Sequence, residues 1–220
     1  MLLFPNLTLQ DFAGPYDVFS RVPEYFEVMV VSENTSIMTA EGGLHVKATL
    51  TFEQCPHVDI IFVPGGRGID ALLTNPAYIT FLQTRAKQAR YITSVCTGSL
   101  VLAAAGLLNG YRATTHWRSL ELLQMFHVEV VEERVVIDRN RITGGGVTAG
   151  LDFALSLTAL ICCEEHAKMV QLALEYNPDP PFRSGSPKTA EQFVLEKVCT
   201  ATQKSFDERR AIIEALSREN

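Results

Sequence analysis

Three turns hold the residue types from which a covalent reaction could be assembled. The first is Val95-Cys96-Thr97-Gly98, where the β-branched run YITSV stops and a helix rich in Leu and Ala begins. A thiol on such a strand-turn-helix elbow is expected to be strained and exposed, and the glycine two residues later lets the helix pack close to the strand. Unpaired N–H groups and the positive end of the helix dipole favour the thiolate there, lowering its pKa from about 8.5. Cys96 is therefore read as a nucleophile. The local pattern alone also suits a small core residue ending a buried strand, so the reading leans on two further turns. Val63-Pro64-Gly65-Gly66-Arg67-Gly68 follows the strand DIIFV, and its glycines allow a backbone N–H, that of Gly66, to join the N–H of Thr97 as an oxyanion hole. Taken by itself it is equally a plain tight turn. Asp11-Phe12-Ala13-Gly14-Pro15-Tyr16-Asp17 follows the first apolar run and brings the Asp11 carboxylate, while Asp17 reads as a surface charge on a helix opened by Pro15.

These turns can meet only if the strands before them lie side by side and end at the same edge. Short apolar or alternating runs separated by helical segments give that arrangement, an α/β domain on a largely parallel sheet whose strand carboxyl ends form the ligand crevice. Strands are expected at Leu2–Phe4, Phe26–Ser32, His45–Leu50, Asp59–Val63, Tyr91–Val95, Val128–Glu132, Val135–Asp138 and Arg141–Thr143. The last two read as a hairpin near the sheet edge, turning at Asp138-Arg139-Asn140. Helices are expected at Pro15–Ser20, Pro76–Ala89, Thr97–Ala105, Trp117–Met125, Ala149–Glu175 and Ala190–Arg218. The run NPDPPFRSGSPK, Asn177–Lys188, is an extended connection by its proline, glycine and serine content. The expected organisation is one domain, 1–220, in which 177–220 forms that connection and a C-terminal helical arm.

Composition removes several classes of function. Nineteen Lys and Arg against twenty-five Asp and Glu leave a net charge of −6, without the basic stripe that nucleic acid requires. No positive region precedes the apolar N-terminal residues, as a secretory signal would need, and the apolar run Phe153–Cys163, read as a buried helix, is about half of the roughly 20 residues that span a bilayer. A cytoplasmic protein without membrane or nucleic-acid partners is expected. Five cysteines, Cys55, Cys96, Cys162, Cys163 and Cys199, show no metal-ligand spacing and suit free thiols; Cys162 and Cys163 read as small hydrophobes inside a buried helix. His45, His57, His127 and His166 have no partner pattern. His116, between Thr115 and Trp117, is weighed separately because a Cys–His pair is the usual way to activate a thiol; an orienting or structural role and direct participation both stay open.

The carboxylate after the first strand, the PGG turn, and the cysteine elbow followed about twenty residues on by Thr-Thr-His together resemble the ThiJ/PfpI superfamily, from Leu3 to about Ser217. Within it, DFAGPYDVF, SVCTGSLVLAAAGLLNGYRATTHW, RITGGGVTAGLDFAL and LEYNPDPPFRSGSP are similar to the isonitrile (isocyanide) hydratase branch. The resemblance implies a flavodoxin-like three-layer sandwich, class I glutamine amidotransferase-like, with helices on both faces of the sheet. It places the nucleophile at Cys96, its acidic partner at Asp11 and the hydroxyl neighbour at Thr97, with Gly65 and His116 at the pocket. Most of the superfamily has glutamate where this chain has Asp11, and the protease branch has histidine where it has Thr97. The implied activity is hydration of an isonitrile to an N-substituted formamide through a cysteine thioimidate, with Asp11 as general acid and base, no cofactor and no metal, in a homodimer. Two other readings accompany it. One is a glyoxalase-like or stress-response enzyme, which a glutamate in place of Asp11 would favour. The other is a non-enzymatic ligand or redox sensor related to the N-terminal domain of AraC-type regulators, whose DNA-binding domain would need about 100 further residues.

Overall fold

β-Branched or apolar side chains at four of the five positions of Tyr91–Val95, all but Ser94, suit a strand covered on both faces, and all five residues are buried. The computed structural model describes residues 1–219. In chain order its elements are α1 (Leu9–Ser20), β1 (Val31–Ser32), β2 (Ile37–Thr39), β3 (His45–Lys47), β4 (Leu50–Thr51), β5 (Ile60–Val63), α2 (Ile69–Leu73), α3 (Pro76–Ala86), β6 (Tyr91–Val95), α4 (Gly98–Ala104), β7 (Arg112–Ala113), α5 (Leu120–Leu123), β8 (Glu129–Val130), β9 (Val135–Asp138), β10 (Arg141–Gly144), α6 (Ala149–Ile161), α7 (Glu164–Ala173) and α8 (Gln192–Glu219).

The central sheet has the order β5-β6-β10-β9. The first three strands are parallel, and β9 closes the edge as the antiparallel arm of a hairpin whose turn residue Arg139 has φ +55°. Register aligns Val63 with Ser94 and Val95 with Gly144, so the carboxyl ends of β5, β6 and β10 lie level. Beyond β5 the chain start is stitched between two strands: the Leu2 N–H donates to the Phe62 carbonyl and the Leu3 N–H to the Val31 carbonyl. The expected strand Leu2–Phe4 is thus realised as one parallel bridge, Leu2 to Val31.

Helices cover both faces. On one, Ile69, Leu73, Leu100, Leu102 and Leu122 pack with Ile213 of α8; on the other, Val18 of α1, Phe62, Phe153 and Leu157 of α6 and Val170 of α7 form a second apolar layer. Full burial of each such side chain is worth about 1.5–3 kcal/mol. This is the flavodoxin-like layering that the resemblance implied, on the largely parallel sheet expected from the strand and helix pattern.

Some boundaries differ from expectation. The first helix begins at Leu9, so Pro15 lies inside it and Asp11 in its first turn. Proline in a helix interior removes one backbone bond, and this stretch packs against α6, where the space a Cβ of Gly150 would fill is 3.4 Å from the Pro15 ring. The expected helix Ala149–Glu175 is two helices, because Cys162 and Cys163 leave helical geometry between them. Cys163 is exposed and Cys162 half-buried, so neither is the fully buried hydrophobe expected from the run. Of the β2–β3 hairpin only β3 falls within an expected strand, His45–Leu50; β2 and the short α2 carry too few periodic positions to be read from the pattern.

Candidate active site

The elbow forms because β6 delivers Cys96 at the level edge of the sheet and α4 must leave at once. Cys96 has φ +54°, a left-handed conformation that costs a non-glycine residue about 1–2 kcal/mol. Four hydrogen bonds hold it there. Its N–H donates to the carbonyls of Gly144 (3.0 Å) and Gly145 (2.8 Å), and its carbonyl accepts the hydroxyls of Thr115 (2.9 Å) and Ser99 (3.1 Å). Gly98 makes the close approach possible, since a Cβ there would sit 2.2 Å from the Val63 carbonyl oxygen.

α1 brings Asp11 to the same place. Its side chain is fully buried; Oδ2 accepts the Gly65 N–H at 3.0 Å, and Oδ1 has no hydrogen-bond partner. Gly65 is confined by what it serves, for a Cβ would lie 2.7 Å from the Thr97 nitrogen and 2.8 Å from Asp11 Oδ2. The Thr97 hydroxyl takes the Gly66 N–H at 3.0 Å and donates to the Gly66 carbonyl at 3.3 Å. Glu41 stands behind the carboxylate, bonded to the Thr8 hydroxyl (2.7 Å) and the Arg67 N–H (2.9 Å).

Electrostatics couple the two reactive groups. Burial pushes the Asp11 carboxyl up to about 7; the Cys96 thiol and the Gly65 N–H pull against this, and the Glu41 charge adds to it. Burial also pushes the Cys96 thiol well above its usual range, and the Asp11 charge pushes it further, while the backbone N–H groups of Val147 and Thr97 favour its thiolate. A dry site disfavours two charges together, so above about pH 7 the pair carries one negative charge and one proton, and below it the doubly protonated form takes over.

Several expectations are corrected here. The Gly66 N–H is engaged by the Thr97 hydroxyl and the Gly65 N–H by Asp11, so the oxyanion donor expected from Gly66 is committed elsewhere. Cys96 is 5% exposed, and its thiol is raised rather than lowered, because desolvation outweighs the helix-end amides. His116 makes no hydrogen bond to either reactive group: its Nδ1 accepts the Arg118 N–H at 3.2 Å, capping a 3-10 turn, and its ring fills the space where a Gly146 Cβ would lie 2.4 Å from Cδ2. The structure thus brings Cys96, Asp11, Thr97, Gly65 and Gly66 together and sets His116 behind the neighbouring turn.

Three contributors escaped the sequence reading. Thr115 sits in the Thr-Thr-His motif, yet only the fold shows its hydroxyl on the Cys96 carbonyl. Val147 follows three glycines and has φ +30°, a strained value for a β-branched residue, where its N–H favours the thiolate. Glu41 opens a three-residue 3-10 turn, Glu41–Gly43, that carries no motif. Among the described residues no three His, Cys, Asp or Glu side chains cluster to hold a metal ion, and no helix is long and apolar enough to cross a membrane. A cavity of about 300 Å³ lined by Phe19, Phe26, Phe62 and Leu157 together with His57 and Asp59 lies apart from this site and includes none of its residues. What the site can do is set by its pair: a thiol that becomes a strong nucleophile when its proton moves, and a carboxyl with one free oxygen ready to take or give that proton.

Comparison with known proteins gives the same framework. The model of the DJ-1/PfpI family matches residues 1–160. Isonitrile hydratase from Pseudomonas putida is 47% identical over 213 residues, covering 97% of this chain and 93% of that protein. The HTH-type transcriptional regulator GbdR from Pseudomonas aeruginosa is 39% identical over 180 residues, 79% of this chain but 48% of the regulator. Among solved structures, a ThiJ/PfpI family protein from Pseudomonas syringae superposes with a TM-score of 0.93 at 40% identity, over 97% of this chain and 88% of that one. DJ-1 from Schizosaccharomyces pombe, at 22% identity and a TM-score of 0.70 over 80% of this chain and 97% of its own, shares the fold.

Proposed function

The chain belongs to the DJ-1/PfpI family, and from that premise we propose that it hydrates isonitriles to N-substituted formamides, with Cys96 as nucleophile and Asp11 as general acid and base. The observation that carries this reading is the buried Asp11 carboxyl, with one unpartnered oxygen, coupled to the thiol of a strained elbow cysteine. A terminal isonitrile carbon accepts both a nucleophile and a proton, so its hydration needs both groups at one atom.

In the proposed sequence the thiol proton passes to Asp11, and the thiolate attacks the isonitrile carbon. Asp11 protonates that carbon as the C–S bond forms, giving a thioimidate, R–N=CH–S–Cys96. Water then adds to the same carbon with the Asp11 carboxylate taking its proton, and that proton passes to nitrogen. Collapse breaks the C–S bond, releases R–NH–CHO, and returns the hydroxyl proton to Asp11 and the thiolate to Cys96. The Thr97 and Val147 N–H groups stabilise sulfur whenever it carries charge, and the Thr97 hydroxyl fixes the PGG turn that positions Asp11. The same family reading carries a homodimer with the crevice near its interface. Incubating the protein with a simple alkyl or aryl isonitrile, following loss of the isonitrile infrared band and identifying the formamide by mass spectrometry, tests the activity.

The likeness to GbdR supports a second reading, a small-molecule sensor. A sensor binds its ligand without consuming it, so stoichiometric binding with no formamide would favour that role.

A further inference from the structure

Cys163 stands at the break between α6 and α7, away from the crevice and exposed. Its sulfur is 3.0 Å from Nδ1 of His166, the next residue on its face of α7. The imidazole is fixed in turn: the Tyr25 ring meets it edge-on, with centroids 5.1 Å apart at 77°. A nucleophile within hydrogen-bond reach of a base that a third group orients is the general form of an activated thiol. The chain thus carries a Cys–His pair, and it is not at Cys96, whose neighbouring histidine is occupied elsewhere.

The surroundings act in the same sense. His166 lowers the Cys163 thiol, the N–H groups of His166 and Glu165 help without making a formal cap, and the thiol together with Glu24 and Glu165 raises the imidazole. Glu164, the other first-turn carboxylate, is neutralised by Lys168 at 2.6 Å. The remaining cysteines are placed differently. Cys96 and Cys55 are buried, and Cys162 and Cys199 are half-buried. Thiol–disulfide exchange needs a thiolate that a bulky disulfide can approach along the S–S axis, a requirement that access alone gives to Cys163.

We propose that Cys163 is the thiol through which this protein exchanges with low-molecular-weight disulfides, forming a mixed disulfide while Cys96 stays reduced. The Cys163 thiolate attacks one sulfur of the disulfide; the new S–S bond forms as the old one breaks, and the departing thiolate takes the electron pair and is protonated by His166 or water. One disulfide is consumed and one free thiol released, with no other reductant. The modification does not depend on the isonitrile reading.

The test is timed exposure of the full chain to oxidised glutathione at pH 7.5, with acid quench and peptide mass spectrometry on all five cysteines. The adduct is expected on Cys163 first, about tenfold or more faster than on Cys96 or Cys199, and faster in the folded chain than in the same chain unfolded in urea. His166→Ala is expected to slow it about fivefold. Cys163→Ser should remove the fast adduct and leave isonitrile turnover unchanged. A first adduct on another cysteine, a folded-chain rate no higher than the unfolded one, or an unchanged rate in His166→Ala would overturn the proposal.

Discussion

The Asp11 carboxyl and the Cys96 thiol shift each other through a direct side-chain interaction: the thiol lowers the carboxyl, the carboxyl raises the thiol, and burial raises both. They therefore titrate as a unit. The reactive form holds one proton, because a fully protonated pair has no base to receive the thiol proton. With the carboxyl near 7, kcat/KM for an isonitrile should rise with pH through about 7 and then level. Asp11→Asn should lose that inflection and fall by about 10²–10⁴-fold. A pH–rate profile of both proteins checks this, and a flat wild-type profile from pH 5 to 8 would count against the coupled pair.

The same group makes a stability prediction of defined sign. The folded-state value of about 7 lies above the ordinary 3.8, so between those limits the folded chain binds more protons than the unfolded one. The Asp11 contribution is thus fully present below about 4 and is lost as pH rises to about 7, by up to about 4 kcal/mol. Asp11→Asn should be more stable than wild type at pH 8, and the gap should close by pH 4. Urea unfolding at the two pH values measures it.

Gly65→Ala should damage activity more than stability. Its Cβ would lie 2.7 Å from the Thr97 nitrogen and 2.8 Å from Asp11 Oδ2, and the resulting shift separates the acid from the thiol. A loss of about 100-fold or more in kcat/KM is expected from misplacement of this kind, with a destabilisation of about 1–3 kcal/mol from overpacking. Steady-state kinetics with a thermal melt distinguishes the two effects.

How legible the molecule was depends on the range of the interaction. The elbow could be read because β-branched strand, cysteine and glycine are contiguous, and Gly98 at its contact with Val63 shows why that glycine is needed. The parallel strands β5, β6 and β10 of the central sheet and the β9–β10 hairpin were visible as periodic runs with turn residues between them. The start of α1 was not, because Pro15 marks a helix opening by local rule while tertiary packing carries the helix back to Leu9. The donors at the thiol were hidden for a related reason: the Val147 N–H and the Thr115 hydroxyl reach Cys96 only after β6 and β10 are aligned. The raised thiol was missed because the helix-end effect is local and desolvation belongs to the whole fold.

His116 supports the turn beside the site rather than the chemistry. His116→Asn keeps a side-chain acceptor for the Arg118 N–H and should lower kcat/KM by no more than about fivefold, far less than the about 10²–10⁴-fold that proton transfer contributes. A loss as deep as that of Asp11→Asn in the same kinetic assay would show that the imidazole takes part in the reaction.

The central claim is that Cys96 forms the bond to substrate, and side-by-side isonitrile-loss assays on folded wild type and Cys96→Ala test it most directly. Formamide is expected from wild type, none above the uncatalysed background from Cys96→Ala, and, in quenched wild-type samples, a mass increase of one isonitrile on the peptide containing Cys96. Formamide production by Cys96→Ala at the wild-type rate would contradict it.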